Sequence, residues 1–553
     1  MVSFTRDCLW GVFLPLYALH RESSDGAGDF SDLEALMEWT AGRGGSLVAT
    51  LPLLATLWEL TDDPSPYNPA SRLFWNEFYL DPRRIPGFAR GDCPPRSDPE
   101  AGLVDYRQEM AEKRRVLQSL AEAFFNADSP RREALVQECR KNPELEQFAR
   151  FRAVGERQGR PWPQWPEPLR SGTVGAADYD ESVFRYHLFT QWQVEKQLEA
   201  LAGHAQRLNL LWYLDFPLGV AGAGYDAWRE PELFVRGASG GAPPDSFFTK
   251  GQDWGFPPFH PDNLRRQGYR YFIRALRNHL RYARVLRFDH VMSLYRLYWV
   301  PHGFPATDGG YVRYRMDELC AILTLESHRF GARIVGENLG TVPAAVNEAL
   351  SRHRLDDMYV LQYETNPEKG PTLRPPPPTS VASVNTHDMP QFAAYWQGLD
   401  IEDRVDLGLF TPEEAEAEGA RRSELRTQLA AFLREEGLLD SDAPDMAAVL
   451  EACQAYLAKS PARIVLVNLE DLWGETGPQN VPGTYRERPN WRRKAKHPLE
   501  MFGEMPAVGR ILETVHRLRQ QKPQPADRPG VSLHEQPEQR SGQQDDERPA
   551  QPR

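Results

Sequence analysis

The 553-residue chain is poor in cysteine, in net positive charge and in long apolar runs. Its five cysteines (Cys8, Cys93, Cys139, Cys320 and Cys453) are scattered, odd in number and without Cys-x-x-Cys spacing. That pattern excludes a disulfide framework and a cysteine-based zinc site, and it predicts a reducing, cytoplasmic setting. The formal net charge is −13, from 65 basic against 78 acidic residues. A nucleic-acid partner is therefore not expected, because phosphate binding draws on clustered positive charge. No stretch approaches ~18 uninterrupted apolar residues, so no membrane span is expected. The segment Met-Val-Ser-Phe-Thr-Arg-Asp-Cys-Leu-Trp lacks the apolar stretch and small-residue cleavage site of a secretory leader. The 13 histidines show neither His-Glu-x-x-His nor paired-carboxylate spacing, so metal catalysis is not expected. Gly237–Gly241 lacks the strand-to-helix context of a phosphate loop and reads as a flexible loop, and no cofactor is expected.

What is present is a repeated alternation of buried strands and helices. Eight apolar or β-branched runs read as strands: Leu9–Leu16, Ser46–Leu54, Leu208–Val220, Val285–Leu294, Ala332–Leu339, Met358–Tyr363, Ser380–Thr386 and Arg463–Leu472. Near-continuous apolar character marks strands covered on both faces, as in a parallel sheet. Helical patterns lie between them, among them Arg270–Leu280 and Met316–Phe330, the latter with Met316, Leu319, Cys320 and Leu323 on one face. The number of repeats predicts an α/β fold, a (β/α)8 TIM barrel with long, mainly helical insertions, over residues 1–520. The insertions are placed at about 65–207, 221–284 and 389–461, with helices predicted at Arg107–Phe125, Arg131–Phe151, Glu181–Leu201, Glu413–Ala420 and Arg422–Glu436. Connections this long normally carry lids or binding walls. Residues 521–553, rich in Pro, Gln and charge, are predicted to be disordered.

Three strand ends deliver acids. They are Arg287-Phe-Asp289-His290, Gly336-Glu337-Asn338-Leu339-Gly340 and Asn385-Thr-His387-Asp388. A barrel that gathers them places three carboxylates in one pocket, the equipment of a retaining glycosyl-transfer site. Such a site needs a carboxylate nucleophile and a carboxylic acid ~5–5.5 Å apart across the scissile bond. Arg287 lies two residues before Asp289 on the same strand face, where a guanidinium favours the ionised carboxylate a nucleophile requires. Glu337 has the reach to protonate a leaving oxygen, and burial is expected to keep it protonated. Each acid taken alone is more often a helix cap or surface ion pair. Three on strand ends, with Arg287 and two histidines, favour chemistry. The basic cluster Arg486, Arg488, Arg492, Arg493, Lys494 and Lys496 is diluted by Glu470, Asp471, Glu475 and Glu487 and reads as a solvated or ion-paired face rather than a site for an anionic partner. Among the aromatics, Tyr67, Trp254 and Phe247–Phe248 are singled out as sugar platforms.

These segments resemble the amylomaltases, the 4-α-glucanotransferases of glycoside hydrolase family 77 in the α-amylase clan. The likeness extends to Asp63-Pro-Ser65-Pro-Tyr67, Asp215-Phe-Pro217, Pro243-Pro-Asp245, Gly251-Gln252-Asp253-Trp254-Gly255, Asn480-Val-Pro-Gly-Thr484 and Asn490-Trp491-Arg492. The resemblance implies Asp289 as nucleophile, Glu337 as acid/base and Asp388 as transition-state stabiliser. It implies His290 and His387 as ligands of sugar hydroxyls, Arg287 as the residue orienting Asp289, and Tyr67, Asp215, Gln252 and Trp254 as substrate-binding residues. The implied substrates are α-1,4-glucans and maltooligosaccharides, with no cofactor. An α-glucan hydrolase, or a silent glycan-binding protein, are the alternatives. Two departures stand out. Asn338 replaces the acidic residue usual after the acid/base, and Met389-Pro390-Gln391 replaces Asn-Asp-Thr after Asp388. They predict altered tuning of the acid and an altered pocket wall.

Overall fold

The computed structural model describes residues 8–58, 63–89, 102–244, 250–365 and 372–521. Cys93, Asp245, Phe247, Phe248 and the tail from residue 522 lie outside them. Along the described chain run β1 (Leu9–Phe13), β2 (Leu47–Ala49), β3 (Leu211–Phe216), β4 (Ala238–Ala242), β5 (Gln252–Asp253) and β6 (Val285–Phe288). After these come β7 (Arg296–Pro301), β8 (Gly310–Arg313), β9 (Arg333–Gly336), β10 (Asp357–Val360), β11 (Ser380–Ser383) and β12 (Ile464–Asn468). Eight of them form one parallel sheet in the order β10-β11-β12-β1-β2-β3-β6-β9. A parallel bridge between Val335 and Asp356 joins the two end strands, with the Gly336 N–H donating to the Asp356 carbonyl at 2.8 Å. The ring closes, and the fold is a (β/α)8 barrel.

All eight expected strands are found, each shorter than the apolar run that marked it. The run Leu208–Val220, for instance, yields only Leu211–Phe216, because Val220 is buried in the following loop rather than in the sheet. Side chains alternate between two environments, as a period of two demands. Leu9, Leu47, Tyr213, Val285, Val335, Val381 and Ile464 fill the inside of the ring. Trp10, Val48, Trp212, Leu286, Ile334, Ala382 and Val465 face the outer layer. Followed toward the C-terminal strand ends, the inward positions turn polar: Asp215, Arg287, Asp289, Glu337, Asn385 and Asn468. The alternation that builds the core thus also aims these groups into the barrel mouth.

The connections hold more structure than the sequence patterns mark. Between β2 and β3 lie the helices Tyr106–Asn126, Pro130–Lys141, Glu144–Gln158 and Glu181–Arg207. The single helix expected over Arg131–Phe151 is two, broken at Asn142-Pro143, where proline removes a backbone donor. Conversely, Pro412–Glu435 is one helix where two were expected, begun by a Thr411–Glu414 capping box and carried through Gly419, whose cost of about 1 kcal/mol relative to alanine does not end it. The stretch Gly237–Gly241 is not a flexible loop. It forms most of β4 in an antiparallel sheet ordered β5-β4-β7-β8. Glycine is needed there for packing: a Cβ at Gly240 would fall 2.3 Å from the Phe256 ring, and one at Gly219 2.2 Å from it. Among the described residues, no helix is long and apolar enough to cross a membrane.

Candidate active site

The site is assembled by register. Asp215 on β3 and Arg287 on β6 are direct cross-strand partners, so their inward side chains meet. Arg287 Nη1 lies 2.9 and 2.8 Å from the two Asp215 oxygens and 3.1 Å from Asp289 Oδ1. The ladder continues past the strand ends. Asp289 N–H donates to the Phe216 carbonyl at 3.1 Å, and Glu337 N–H to the Phe288 carbonyl at 2.9 Å. Asp289 and Glu337 therefore stand at the lip of adjacent strands. The chain then turns sharply at His290, which has a left-handed φ of 47°. That turn directs the His290 N–H onto Glu337 Oε2 at 2.9 Å, while the Leu339 N–H takes Oε1 at 2.7 Å. Glu337 is buried, as expected, and these two bonds fix its direction.

Asp388 lies beyond the end of β11 and is 42% exposed to the cleft. His387 Nε2 approaches its Oδ2 at 3.2 Å, and Asn480 Nδ2 donates to its Oδ1 at 2.8 Å. The cleft walls strip water from the carboxyl and push it up, but His387, Asn480 and Arg287 outweigh this and hold it down, at about 2. The Tyr67 hydroxyl connects the two halves of the site. It donates to Asp215 Oδ2 at 2.7 Å and meets His387 Nε2 at 2.8 Å, with the two rings stacked 5.2 Å apart. Burial keeps this hydroxyl protonated, since the Tyr67 group is pushed well above its ordinary range. Its one proton is committed to Asp215, so the hydrogen between Tyr67 and the imidazole is carried by Nε2 of His387.

Asp289 behaves differently from expectation. Loss of water around the carboxyl raises it to about 7, and the nearby Asp215, Glu337 and Asp388 add to the rise. Arg287 opposes them without winning. The site thus holds a nucleophile candidate poised near neutrality rather than one ionised far below it.

Trp254 borders the cleft, edge-on to the His290 ring at 5.1 Å and stacked on Phe256 at 6.2 Å. Its Nε1 donates to Gln252 Oε1 at 3.2 Å. Every residue singled out from the sequence as a catalytic or sugar-binding candidate is therefore gathered here, apart from the undescribed Phe247 and Phe248. Sequence reading missed the Asn480–Asp388 contact and the role of Trp491, whose ring lies 5.5 Å from Tyr67 and 5.7 Å from His387. Both stand in motifs noted for their likeness, but nothing local in the chain points to their partners.

The chain matches the family model described as 4-alpha-glucanotransferase (glycosyl hydrolase family 77) over residues 14–500. It belongs to that family. The 4-alpha-glucanotransferase of Mycobacterium tuberculosis is 37% identical over 516 residues, 87% of this chain and 70% of the relative. That of Haemophilus influenzae is 32% identical over 534 residues, covering 89% and 76%. Among solved structures, the amylomaltase of Corynebacterium glutamicum superposes with a TM-score of 0.81 at 27% identity, covering 92% of this chain and 75% of that one. The Streptococcus agalactiae amylomaltase, at 19% identity and a TM-score of 0.77, shares the fold.

The two departures from the family pattern resolve differently in this transferase. Strand alternation turns Asn338 away from Glu337, to the outer side of β9. There its Oδ1 accepts from Met358 N–H at 3.0 Å and its Nδ2 donates to Asn347 Oδ1 at 3.2 Å. Asn338 ties β9 to β10, and the tuning role expected for this position is not supported by its contacts. Gln391 does not line the pocket either. It is buried beneath the loop that carries Asp388. Within the basic cluster, Arg488 pairs with Asp403 and Asp406, and Lys494 with Glu109. Glu470 and Asp471 are buried in the barrel mouth.

Proposed function

We propose that this 4-alpha-glucanotransferase moves α-1,4-glucan segments between maltooligosaccharides by a retaining double displacement. Asp289 attacks the anomeric carbon while Glu337 protonates the departing glycosidic oxygen, which breaks the old bond and leaves a β-glucosyl ester on Asp289. Glu337, now a base, takes the proton from the 4-hydroxyl of an incoming glucan, and attack at the same carbon restores Asp289 and forms a new α-1,4 bond. Asp388, held ionised by His387 and Asn480, stabilises the positive charge that develops at the ring.

The observation that carries this reading is the gathering of Asp289, Glu337 and Asp388 around one buried cation, Arg287, at the C-terminal mouth of a barrel. With its carboxyl raised to about 7, Asp289 is ionised for attack above neutral pH and is a stronger nucleophile than an unperturbed carboxylate. Transfer prevails over hydrolysis when a bound sugar reaches the ester before water does. Trp254, backed by the buried Phe256 ring, is the part of the structure fitted to hold that sugar. Residues 1–520 act as one catalytic unit, with the insertions as walls of the glucan cleft, in the cytoplasm.

Incubation of the purified protein with maltotriose tests the proposal. Transfer gives a ladder of longer maltooligosaccharides together with glucose. Shorter products alone would mark a hydrolase, and absence of turnover a binding protein. Asp289→Asn is expected to abolish turnover while maltooligosaccharide binding persists. Near-normal activity in that variant would refute the nucleophile assignment.

A further inference from the structure

The loop that carries His387 and Asp388 is clamped at both ends by a buried polar network that contains a departure from the family pattern. At its start, Asn385 Nδ2 donates to both Asp471 oxygens at 3.1 and 2.9 Å, and Asn385 Oδ1 accepts from Asn468 Nδ2 at 3.0 Å. At its end, Phe392 N–H donates to Asp471 Oδ1 at 2.7 Å. Gln391 makes the connection between these partners and the next loop. Its Oε1 accepts from Asn468 Nδ2 at 3.0 Å, and its Nε2 donates to Glu470 Oε2 at 3.0 Å. Glu470 Oε1 in turn accepts from Gln479 Nε2 at 2.8 Å, and Gln479 Oε1 accepts from the Tyr17 hydroxyl at 2.7 Å. The residue after Gln479 is Asn480, whose amide holds Asp388 at 2.8 Å.

We infer that Gln391 is a positioning residue for transfer, acting through Glu470, Gln479 and Asn480 to hold Asp388 where charge develops in the transition state. The inference rests on the role given to Asp388 above. Three features carry it. Tyr17, Gln391, Glu470, Asp471 and Gln479 are each 1% exposed, so their bonds cannot be exchanged for water at no cost. The chain of bonds is continuous from Gln391 to Gln479, and one peptide unit then leads to Asn480. Both loops that contact Asp388, one after β11 and one after β12, are joined at Asp471 by Asn385 and Phe392, and Gln391 adds the bond to Glu470 that leads on to Gln479. One donor and one acceptor must both be matched for the network to close, and a glutamine of this length satisfies Asn468 and Glu470 at once. Removing its polar end leaves Glu470 with one donor fewer and frees the Gln479–Asn480 segment to shift.

The test is Gln391→Met, which keeps length and bulk but loses both bonds, compared with Asn480→Ala at the far end and Asp388→Asn. With maltotriose, Gln391→Met is expected to lower kcat at least 10-fold with KM within 2-fold of wild type, and Asn480→Ala to show the same split. A residue that acts only on the fold would lower the active fraction and the melting temperature without this selective loss per folded molecule. The double variant Gln391→Met/Asp388→Asn should be no slower than Asp388→Asn alone, because the two act through one group. If Gln391→Met does not fold, Asn480→Ala and its pairing with Asp388→Asn make the same comparison. A folded Gln391→Met with kcat within 2-fold of wild type, or losses that multiply in the double variant, would overturn the inference while leaving Asp388's role intact. An active Asp388→Asn would overturn both.

Discussion

Asp289 lies at the centre of a prediction about stability rather than rate. Its carboxyl is raised from 3.8 to about 7 by desolvation and by Asp215, Glu337 and Asp388. A folded-state value above the unfolded one means that the native protein holds the proton more tightly. The stabilising effect is complete below about pH 4, falls as pH rises, and is fully lost above about pH 7. At ~1.4 kcal/mol per pH unit, the ionised Asp289 costs the fold about 4 kcal/mol at pH 8 and above. Asparagine mimics the protonated carboxyl in shape and charge. The side chain is only 20% exposed, so solvent screening removes little of the effect. The amide offers a single acceptor oxygen, however, to the two donors Arg287 and Leu218 N–H. The gain should therefore be about 2–4 kcal/mol at pH 8.5, about 1 kcal/mol at pH 5, and nil near pH 3.

With ~2.1 cal/mol/K of unfolding entropy per residue over roughly 500 ordered residues, each kcal/mol moves the midpoint by about 1 °C. Thermal and guanidinium melts of wild type and Asp289→Asn at pH 5 and 8.5 read the difference. The dead variant should melt about 2–4 °C higher at pH 8.5, with a smaller gap at pH 5. A variant that melts lower than wild type at pH 8.5, or a gap that does not change with pH, would refute the reasoning. It would mean that the Arg287 ion pair outweighs the crowding of carboxylates.

Other outcomes follow from the same geometry. For wild type, kcat/KM should rise with pH through about 7 as Asp289 ionises. In Glu337→Gln, assayed with a maltosyl fluoride that needs no acid, this limb should persist, since Asp289 keeps the desolvation that is the largest cause of its rise; loss of the limb would show that another group titrates. Tyr67→Phe leaves Asp215 and His387 each short of one partner, a loss of about 1–3 kcal/mol. Expressed at the transition state, this is a roughly 10–100-fold fall in kcat/KM for maltotriose, and a near-wild-type value would remove the hydroxyl from the mechanism. Gly240→Ala places a Cβ 2.3 Å from the Phe256 ring and must displace it together with the stacked Trp254. The ratio of transfer products to free reducing ends should fall several-fold, and an unchanged ratio would exclude this wall from acceptor binding.

How much of this was legible in the chain depends on how far each interaction reaches. The barrel was readable because burial on two faces leaves a local mark, and all eight runs announced their strands. The inward aim of Asp289 and Glu337 was equally local, fixed by counting two from Val285–Arg287 and from Val335. The same count turns Asn338 outward, so the alternation already in hand contradicted a role beside Glu337 before any contact was seen. The small sheet β5-β4-β7-β8 was hidden because β4 has the sequence Ala-Ser-Gly-Gly-Ala. Its strand character comes from β7 and from the Phe256 ring lying on Gly240, neither of which composition records. The state of Asp289 was misjudged for a similar reason. Arg287 is two residues away and visible, whereas Asp215, Glu337 and Asp388 come from other strands, and their combined repulsion with desolvation exceeds one attraction. The Gln391 network lies furthest from sequence reading. It joins Tyr17 on the first βα loop to Gln479, 462 residues away, through polar side chains whose burial no local pattern reveals. Pairwise partners across a barrel become predictable only once register is known. Here register is what converts scattered acids and amides into one constrained site.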